Sequence, residues 1–219
     1  MTGRRLLLIA IVALVIVPLV EAQSRKLGPQ GRDVILNARA DPSFASTPLT
    51  RVIFLPFANE LDYTEGADVL AQNFVGAMHQ THSEIEIVAP EAARQMIQDL
   101  QLTNEYRSFA GNYANTGVAT TLFLQALGQR AKADGVVLGK ILGYGAQREA
   151  HALVTGFGMI TWNKDRAVAG MEITLVRSKD GRELWWGAHA VEGGKNENVL
   201  EVAKTVGTVF AKFFGRLPY

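Results

Sequence analysis

Two apolar runs, residues 171–176 and 184–191, flank Asp180-Gly181, and this pairing constrains the fold more than any other stretch. Asp-Gly tolerates the positive φ angles of a tight turn, so the runs read as the strands of an antiparallel hairpin. Adjacent residues of a strand point to opposite faces of the sheet. Trp185 and Trp186 cannot share a face, therefore. One is expected in the core and the other outward, at an interface.

The chain upstream supplies the elements that accompany this hairpin. Residues 52–57 are a continuous apolar run stopped by Pro56, as suits a strand buried on both faces. Residues 59–66 are a polar loop. From Ala67 the period changes, and Leu70, Phe74, Ala77 and Met78 share one helical face. Residues 84–88 alternate as a short strand. Pro90 then opens a helix, where its missing N–H costs nothing, and Ala93, Met96, Ile97 and Leu100 recur at helical spacing. A further helix is expected over about residues 118–133, a buried strand over 135–142, and β-rich segments over 152–162, 167–176 and 184–191. The last helix, 196–214, places Val199, Val202, Ala203, Val206, Phe210 and Phe213 on one face before Gly215 and Pro218 stop it. This order predicts an α/β fold: a single domain over residues 50–215, with a mixed β-sheet flanked by helices.

The ends of the chain obey other rules. Arg4 and Arg5 precede an uncharged run over residues 6–20, and Val20-Glu21-Ala22 presents small residues where an export peptidase reads them. Residues 1–22 are expected to be a secretory signal peptide, and the product periplasmic. The alternative, a retained anchor, is disfavoured because the run falls short of the roughly 20 residues that span a bilayer. Residues 23–49 are polar and proline-containing and read as a flexible lead-in, with Val34-Ile35-Leu36 able to pair at a sheet edge.

Composition narrows the function. There is no cysteine, so no disulfide framework forms and no thiol carries a lipoprotein anchor. Stability must come from a packed core, which a domain of roughly 170 residues can bury. Removing residues 1–22 takes Arg4, Arg5 and Glu21 from 22 basic and 21 acidic residues and leaves 20 of each. A neutral product has no bulk attraction for nucleic acid.

Catalytic patterns are sparse. The sequence has no Gly-x-Ser-x-Gly elbow and no Walker-type phosphate loop. Gly139, Gly143 and Gly145 follow a strand but open no helix, so they read as a strand end approached by another backbone. His79 and His82, with Glu84 or Glu86, come nearest to a metal motif, yet zinc needs three or four convergent ligands. The simpler reading is the exposed end of a helix. Glu60, Asp62, Glu65 and Asp68 crowd the loop after the first strand. They lack calcium-loop spacing and suit the start of a helix, with Asp62 or Thr64 as cap. His151 and His189 are expected at surface or half-buried strand positions. No catalytic, cofactor or metal residue is assigned, and the chain is expected not to be an enzyme.

Aromatic residues are the better candidates for contact with a partner. Tyr106, Phe109 and Tyr113 share a face with Leu102 if residues 102–114 are helical. Core packing is the ordinary meaning of such a face, and an anchor for a partner protein is the sharper one. Trp162, Trp185 and Trp186 complete the set. The glycine-broken hairpin over residues 152–171 is long enough to raise membrane insertion or oligomer formation. Ordinary sheet or subunit contact is favoured, because one hairpin cannot close its own edges.

Three segments carry a family resemblance. Arg51-Val-Ile-Phe-Leu-Pro-Phe-Ala-Asn59, Ala133-Asp-Gly-Val-Val-Leu-Gly-Lys-Ile-Leu-Gly-Tyr144 and Asp180-Gly-Arg-Glu-Leu-Trp-Trp186 together resemble the curli-secretion-channel (CsgG) superfamily. That superfamily includes the peptidoglycan-synthase activator LpoB and the TolB amino-terminal-like domains. The resemblance covers about residues 50–214. It implies a TolB-N/CsgG-like envelope domain that binds other envelope proteins in a secretion, outer-membrane or peptidoglycan-synthesis complex. It leaves outer-membrane association and homo-oligomerisation open. The lipidated cysteine of the channel and of LpoB is absent here. Two readings stand behind this one: a ring or pore subunit using residues 152–171, and a metal-binding or hydrolytic module.

Overall fold

The chain enters its sheet earlier than its polar composition predicts. The computed structural model describes residues 25–26, 33–147, 152–155, 158–161, 166–194 and 197–214. After a two-residue strand, Arg25–Lys26 (β1), Asp33–Ala40 (β2) forms an eight-residue strand inside the segment expected as a flexible lead-in. Its register partners, from Ala190 for Ile35 to Trp185 for Ala40, lie some 150 residues away. The edge pairing expected of Val34-Ile35-Leu36 thus forms, and the strand runs on to Ala40, where a partner so distant leaves little local pattern to read. A 3-10 turn at Pro42–Ser46 follows, capped by the Asp41 carboxylate on the Ser43 N–H.

The remaining elements follow the expected order with shifted boundaries. They are Arg51–Phe54 (β3), Thr64–Thr81 (α1), Glu86–Val88 (β4), Pro90–Asp99 (α2), Thr103–Thr116 (α3), Thr121–Ala131 (α4) and Gly135–Gln147 (β5). Ala152–Thr155 (β6), Gly158–Thr161 (β7), Arg166–Arg177 (β8), Glu183–Glu192 (β9) and Val199–Phe213 (α5) complete them. The sheet runs β1-β2-β9-β8-β5-β3-β4. β3 is parallel to both β4 and β5, and every other pairing is antiparallel. The class is α/β with a mixed sheet. The strands β6 and β7 pair with each other as a separate two-stranded sheet.

Helices cover both faces. On one, α1 and α5 bury Leu70, Phe74, Met78, Val206 and Phe210 against Val52, Phe54, Ile173, Leu175 and Trp185. On the other, α2, α3 and α4 bury Ile97, Phe109, Phe123 and Leu127 against Ile53, Leu55, Val136 and Leu138. β3 alternates between the two cores, which is why its sequence is apolar throughout. Each such side chain contributes about 1.5–3 kcal/mol relative to exposure.

Several local expectations change. The N-cap of α1 is Tyr63, with no side-chain cap bond, so neither Asp62 nor Thr64 caps it. Phe214, not Phe213, enters the core. The chain leaves helical geometry at Phe214 (φ −58°, ψ 125°), and its ring packs 5.4 Å from Trp185. A Cβ on Gly139 would meet the Phe57 ring at 2.6 Å, so a side chain, not another backbone, approaches that glycine. His189 is fully buried beside Phe210, because it shares the Trp185 face of β9.

The hairpin turn forms at Asp180-Gly181, but only Gly181 takes a positive φ, +69°, and Asp180 does not. Arg177 donates to both Asp180 oxygens, at 2.9 and 2.5 Å, and Arg182 pairs with Asp41. The Arg177 hydrogen bonds hold the Asp180 carboxyl down at about 2. The unfolded carboxyl titrates near ~3.9. Asp180 therefore stabilises the fold fully above about pH 4 and loses that contribution as pH falls through about 2. Melting temperatures measured from pH 5 to pH 2 should fall less steeply in Asp180→Asn than in the wild type. Parallel curves would refute the assignment.

Candidate functional site

β3 and β4 are parallel neighbours, yet the chain leaves them over opposite faces. β3 leads to α1 on one side and β4 to α2 on the other. Connections that part in this way open a crevice outside the carboxyl ends of the strands, where ligands ordinarily sit in open α/β sheets. A cleft of about 540 Å³ lies there, lined by the loop after β3 and by α2 and α3. Phe57, Ile97 and Ala110 supply its apolar walls. Glu60, Arg94, Gln98, Tyr106 and Arg107 supply its polar groups.

The acids that crowd the loop after β3 are partly accounted for by this arrangement. Arg94, on α2, donates to Glu91 at 2.6 Å and also to Glu60 across the cleft. Burial opposes the Arg94 charge, but the two carboxylates outweigh it and raise its pKa. The Tyr106 hydroxyl is pushed up to about 12, first by burial and then by the nearby Glu60 charge. Arg107 makes no ion pair among the described residues. Leu61, on the rim, is 86% exposed.

The aromatic face of α3 points away from solvent. Phe109 is buried, with its ring 4.9 Å from Phe123 and stacked 6.0 Å from Tyr113. Tyr106 lies 5.6 Å from Phe123. Tyr113 is half-buried; burial raises its pKa, while a hydrogen bond with Thr174 opposes the shift. These three residues pack the core, and only parts of the two tyrosines remain for a partner. Trp162 lies outside the described residues, as do residues 1–22 and His151.

Trp185 and Trp186 divide between the two faces of the sheet. Trp185 is fully buried among Phe210 and Phe214. Trp186 was expected to point outward, but it is only 8% exposed. It sits with Leu142 and Ala188, and the Arg39 guanidinium lies 4.9 Å from its ring. Arg39 is placed there by strand register and by a bidentate pair with Glu183.

The histidine pair does not converge on a metal. His79 is exposed, whereas His82 turns inward, with Nε2 3.0 Å from the Ala211 carbonyl and Nδ1 3.4 Å from Glu84. No cluster of three or more side chains able to hold a metal occurs among the described residues.

Two polar residues of the three sequence segments, Asn59 and Asp134, serve the backbone. Asn59 accepts from the Ile141 N–H and donates to the Ile141 carbonyl, both at 2.9 Å, at the bulge of β5. Its amide thus continues the β3–β5 pairing after the β3 backbone has turned away. Asp134 accepts from the Thr50 N–H and hydroxyl at 2.7 Å and from the Arg51 N–H at 3.1 Å. Burial pushes the Asp134 carboxyl up, but these bonds together hold it below its ordinary value. Asn59→Ala strands both backbone groups of Ile141 and should cost about 1–3 kcal/mol in urea unfolding. A change under about 0.5 kcal/mol would remove Asn59 from this role.

No family model and no curated protein matches the chain. Among solved structures it is similar to the PelC dodecamer from Paraburkholderia phytofirmans, at 11% identity and a TM-score of 0.49, over 81% of this chain and 95% of that one. It is also similar to the lipoprotein GNA1162 from Neisseria meningitidis, at 15% identity and a TM-score of 0.45, over 75% and 97% of the two chains. A PDZ domain protein from Parabacteroides distasonis matches at 8% identity and a TM-score of 0.43, over 84% and 36%.

Sequence reading had not singled out Arg94 or Arg107. The Glu91–Arg94 spacing along one helix is a visible local signal. The Glu60 pairing and the shared cleft arise only from tertiary structure.

Proposed function

We propose that the chain is an exported cell-envelope accessory protein that acts by contact with other proteins and catalyses no reaction. The observation that carries this reading is the cleft at the ends of β3 and β4. Its acid, Glu60, is engaged in holding Arg94, while Arg107 and the apolar Leu61 stand open at the rim. Fixed charges beside exposed apolar surface suit recognition. Val118 and Leu122, 62% and 81% exposed, add apolar surface between α3 and α4. The signal-peptide pattern of residues 1–22 and the family resemblance support an envelope location, and no described helix is long and apolar enough to cross a membrane.

Fractionation of the tagged full chain, combined with cross-linking in living cells, tests this. The expected product is shortened at its N-terminus, lies outside the inner membrane and cross-links reproducibly to an envelope protein. A full-length cytoplasmic product without cross-links would overturn the reading.

The ring or pore reading draws on the separation of β6–β7 from the main sheet. Its strands are four residues each as described, against the roughly 9–11 that a membrane-spanning strand needs. A detergent-extracted oligomer of ring size would support that reading instead.

A further inference from the structure

We infer that the cleft between α2, α3 and the loop after β3 is a docking groove for an acidic, apolar-flanked peptide segment of a partner protein. This rests on the protein-binding function proposed above and names its site and chemistry. Three observations converge. The cleft's volume lies within the ordinary range for binding sites. Its charged lining is Arg94, Arg107 and Glu60; Glu60 and Glu91 both pair with Arg94, so the uncompensated charge at the cleft is the positive one of Arg107. Two of its polar groups able to donate, the Arg107 guanidinium and the Tyr106 hydroxyl, have no hydrogen-bonded partner among the described residues.

The geometry also says how a carboxylate would be held. Glu60 fixes the Arg94 guanidinium from within the cleft, which removes most of the entropy cost of ordering that side chain. The second partner, Glu91, is 86% exposed, and an exposed ion pair of this kind is worth little. An incoming carboxylate can replace Glu91 on Arg94 and take a second contact from Arg107, the arrangement that guanidinium groups favour. Leu61, Ala110 and Ala114, which keep exposed surface at the cleft, then receive the apolar neighbours of the acid. A lone small carboxylate would leave that apolar surface unused.

Gly111 provides a clean test. A Cβ added there meets nothing within 4 Å, and the residue lies within α3, so larger side chains enter the cleft without disturbing the helix. Peptides are selected from a random displayed library on the purified exported protein, and binding of the selected peptides is followed by fluorescence anisotropy. The expected peptides carry Asp or Glu beside an apolar residue. Arg107→Glu and Gly111→Glu should each weaken them by at least about tenfold. Gly111→Lys, of similar bulk and opposite charge, should retain or tighten binding, and Lys204→Glu on α5 should have no effect. Melting temperatures at or above that of the wild type establish that the variants fold.

Peptides without an acidic residue, or acidic peptides indifferent to Arg107→Glu, would overturn the assignment. So would equal losses in Gly111→Glu and Gly111→Lys, which would mark an uncharged apolar contact. Displacement of the peptide by self-association at high protein concentration would place a second copy in the groove instead. Partner cross-linking that survives Arg107→Glu would remove the cleft from docking while leaving the envelope-binding function intact. Absence of any cross-linked partner in the wild type would remove that function itself.

Discussion

Replacing Trp185 by alanine is expected to lower the unfolding free energy by about 3–5 kcal/mol, the range for emptying a buried aromatic site. The site cannot collapse easily. The Trp185 ring packs 6.0 Å from Phe210 and 5.4 Å from Phe214, and Phe214 reaches on to Phe74 and Phe44. These rings belong to β9, α5, α1 and the turn before β3, so no single element can move inward to fill the void. At about 2–4 °C per kcal/mol for a domain of this size, the melting temperature should drop by roughly 6–20 °C. Trp185→Phe should recover a large part of the loss. The indole N–H is buried without a hydrogen-bond partner among the described residues, so phenylalanine gives up volume but no bond seen there. Trp186→Ala should cost at least about 1 kcal/mol less than Trp185→Ala, because Trp186 packs in a small cluster with Leu142 and Ala188 and the long Arg39 side chain over it can move into the space. Near-ultraviolet circular dichroism with thermal melts measures all three. Equal losses at the two tryptophans would contradict the division between faces.

That division was legible in the sequence because it depends only on strand alternation and on a turn that Asp180-Gly181 determines locally. The apolar runs of β3 and β5, the Pro90 start of α2 and the stripe of α5 were legible for the same reason: each follows from a period of two or of 3.6 within one segment. Features set by distant partners were not. β2 takes its register from β9, so only Val34-Ile35-Leu36 reads as able to pair at a sheet edge and the rest of the strand reads as a linker. Phe214 enters the core because the chain turns out of α5, where the helical period no longer applies. The segments that carry the family resemblance have a physical meaning the sequence did not disclose. Asn59 and Asp134 tie β3 to β5 through their side chains, and Asp180 ties the hairpin turn. The motifs thus report the architecture. The cleft depends instead on Glu60, Arg94 and Arg107, three residues from three elements that share no periodic pattern.

The close contact between α1 and α5 yields the other large effect. A Cβ on Gly207 would lie 2.7–2.9 Å from the carbonyl carbon and oxygen of Asn73 and the nitrogen of Phe74. All three are backbone atoms of α1, so no side chain can rotate away, and the helices must separate. Separation lifts Val206 and Phe210 from the sheet face that also holds Trp185. Gly207→Ala should therefore destabilise by about 1–3 kcal/mol, even though alanine is the better helix former by about 1 kcal/mol. Gly207→Val adds a branch at the same point and should exceed about 3 kcal/mol, a large fraction of the stability of an ordinary domain. Gly76, on α1 itself, is the internal control, since a Cβ there meets nothing within 4 Å. Gly76→Ala should raise stability by about 0.5–1 kcal/mol through the lower entropy of its unfolded chain. The two glycine-to-alanine changes, measured side by side in urea, are thus expected to differ in sign. If Gly207→Ala stabilised the protein as Gly76→Ala does, α1 and α5 could not be in backbone contact, and the packing of this face would have to be redrawn.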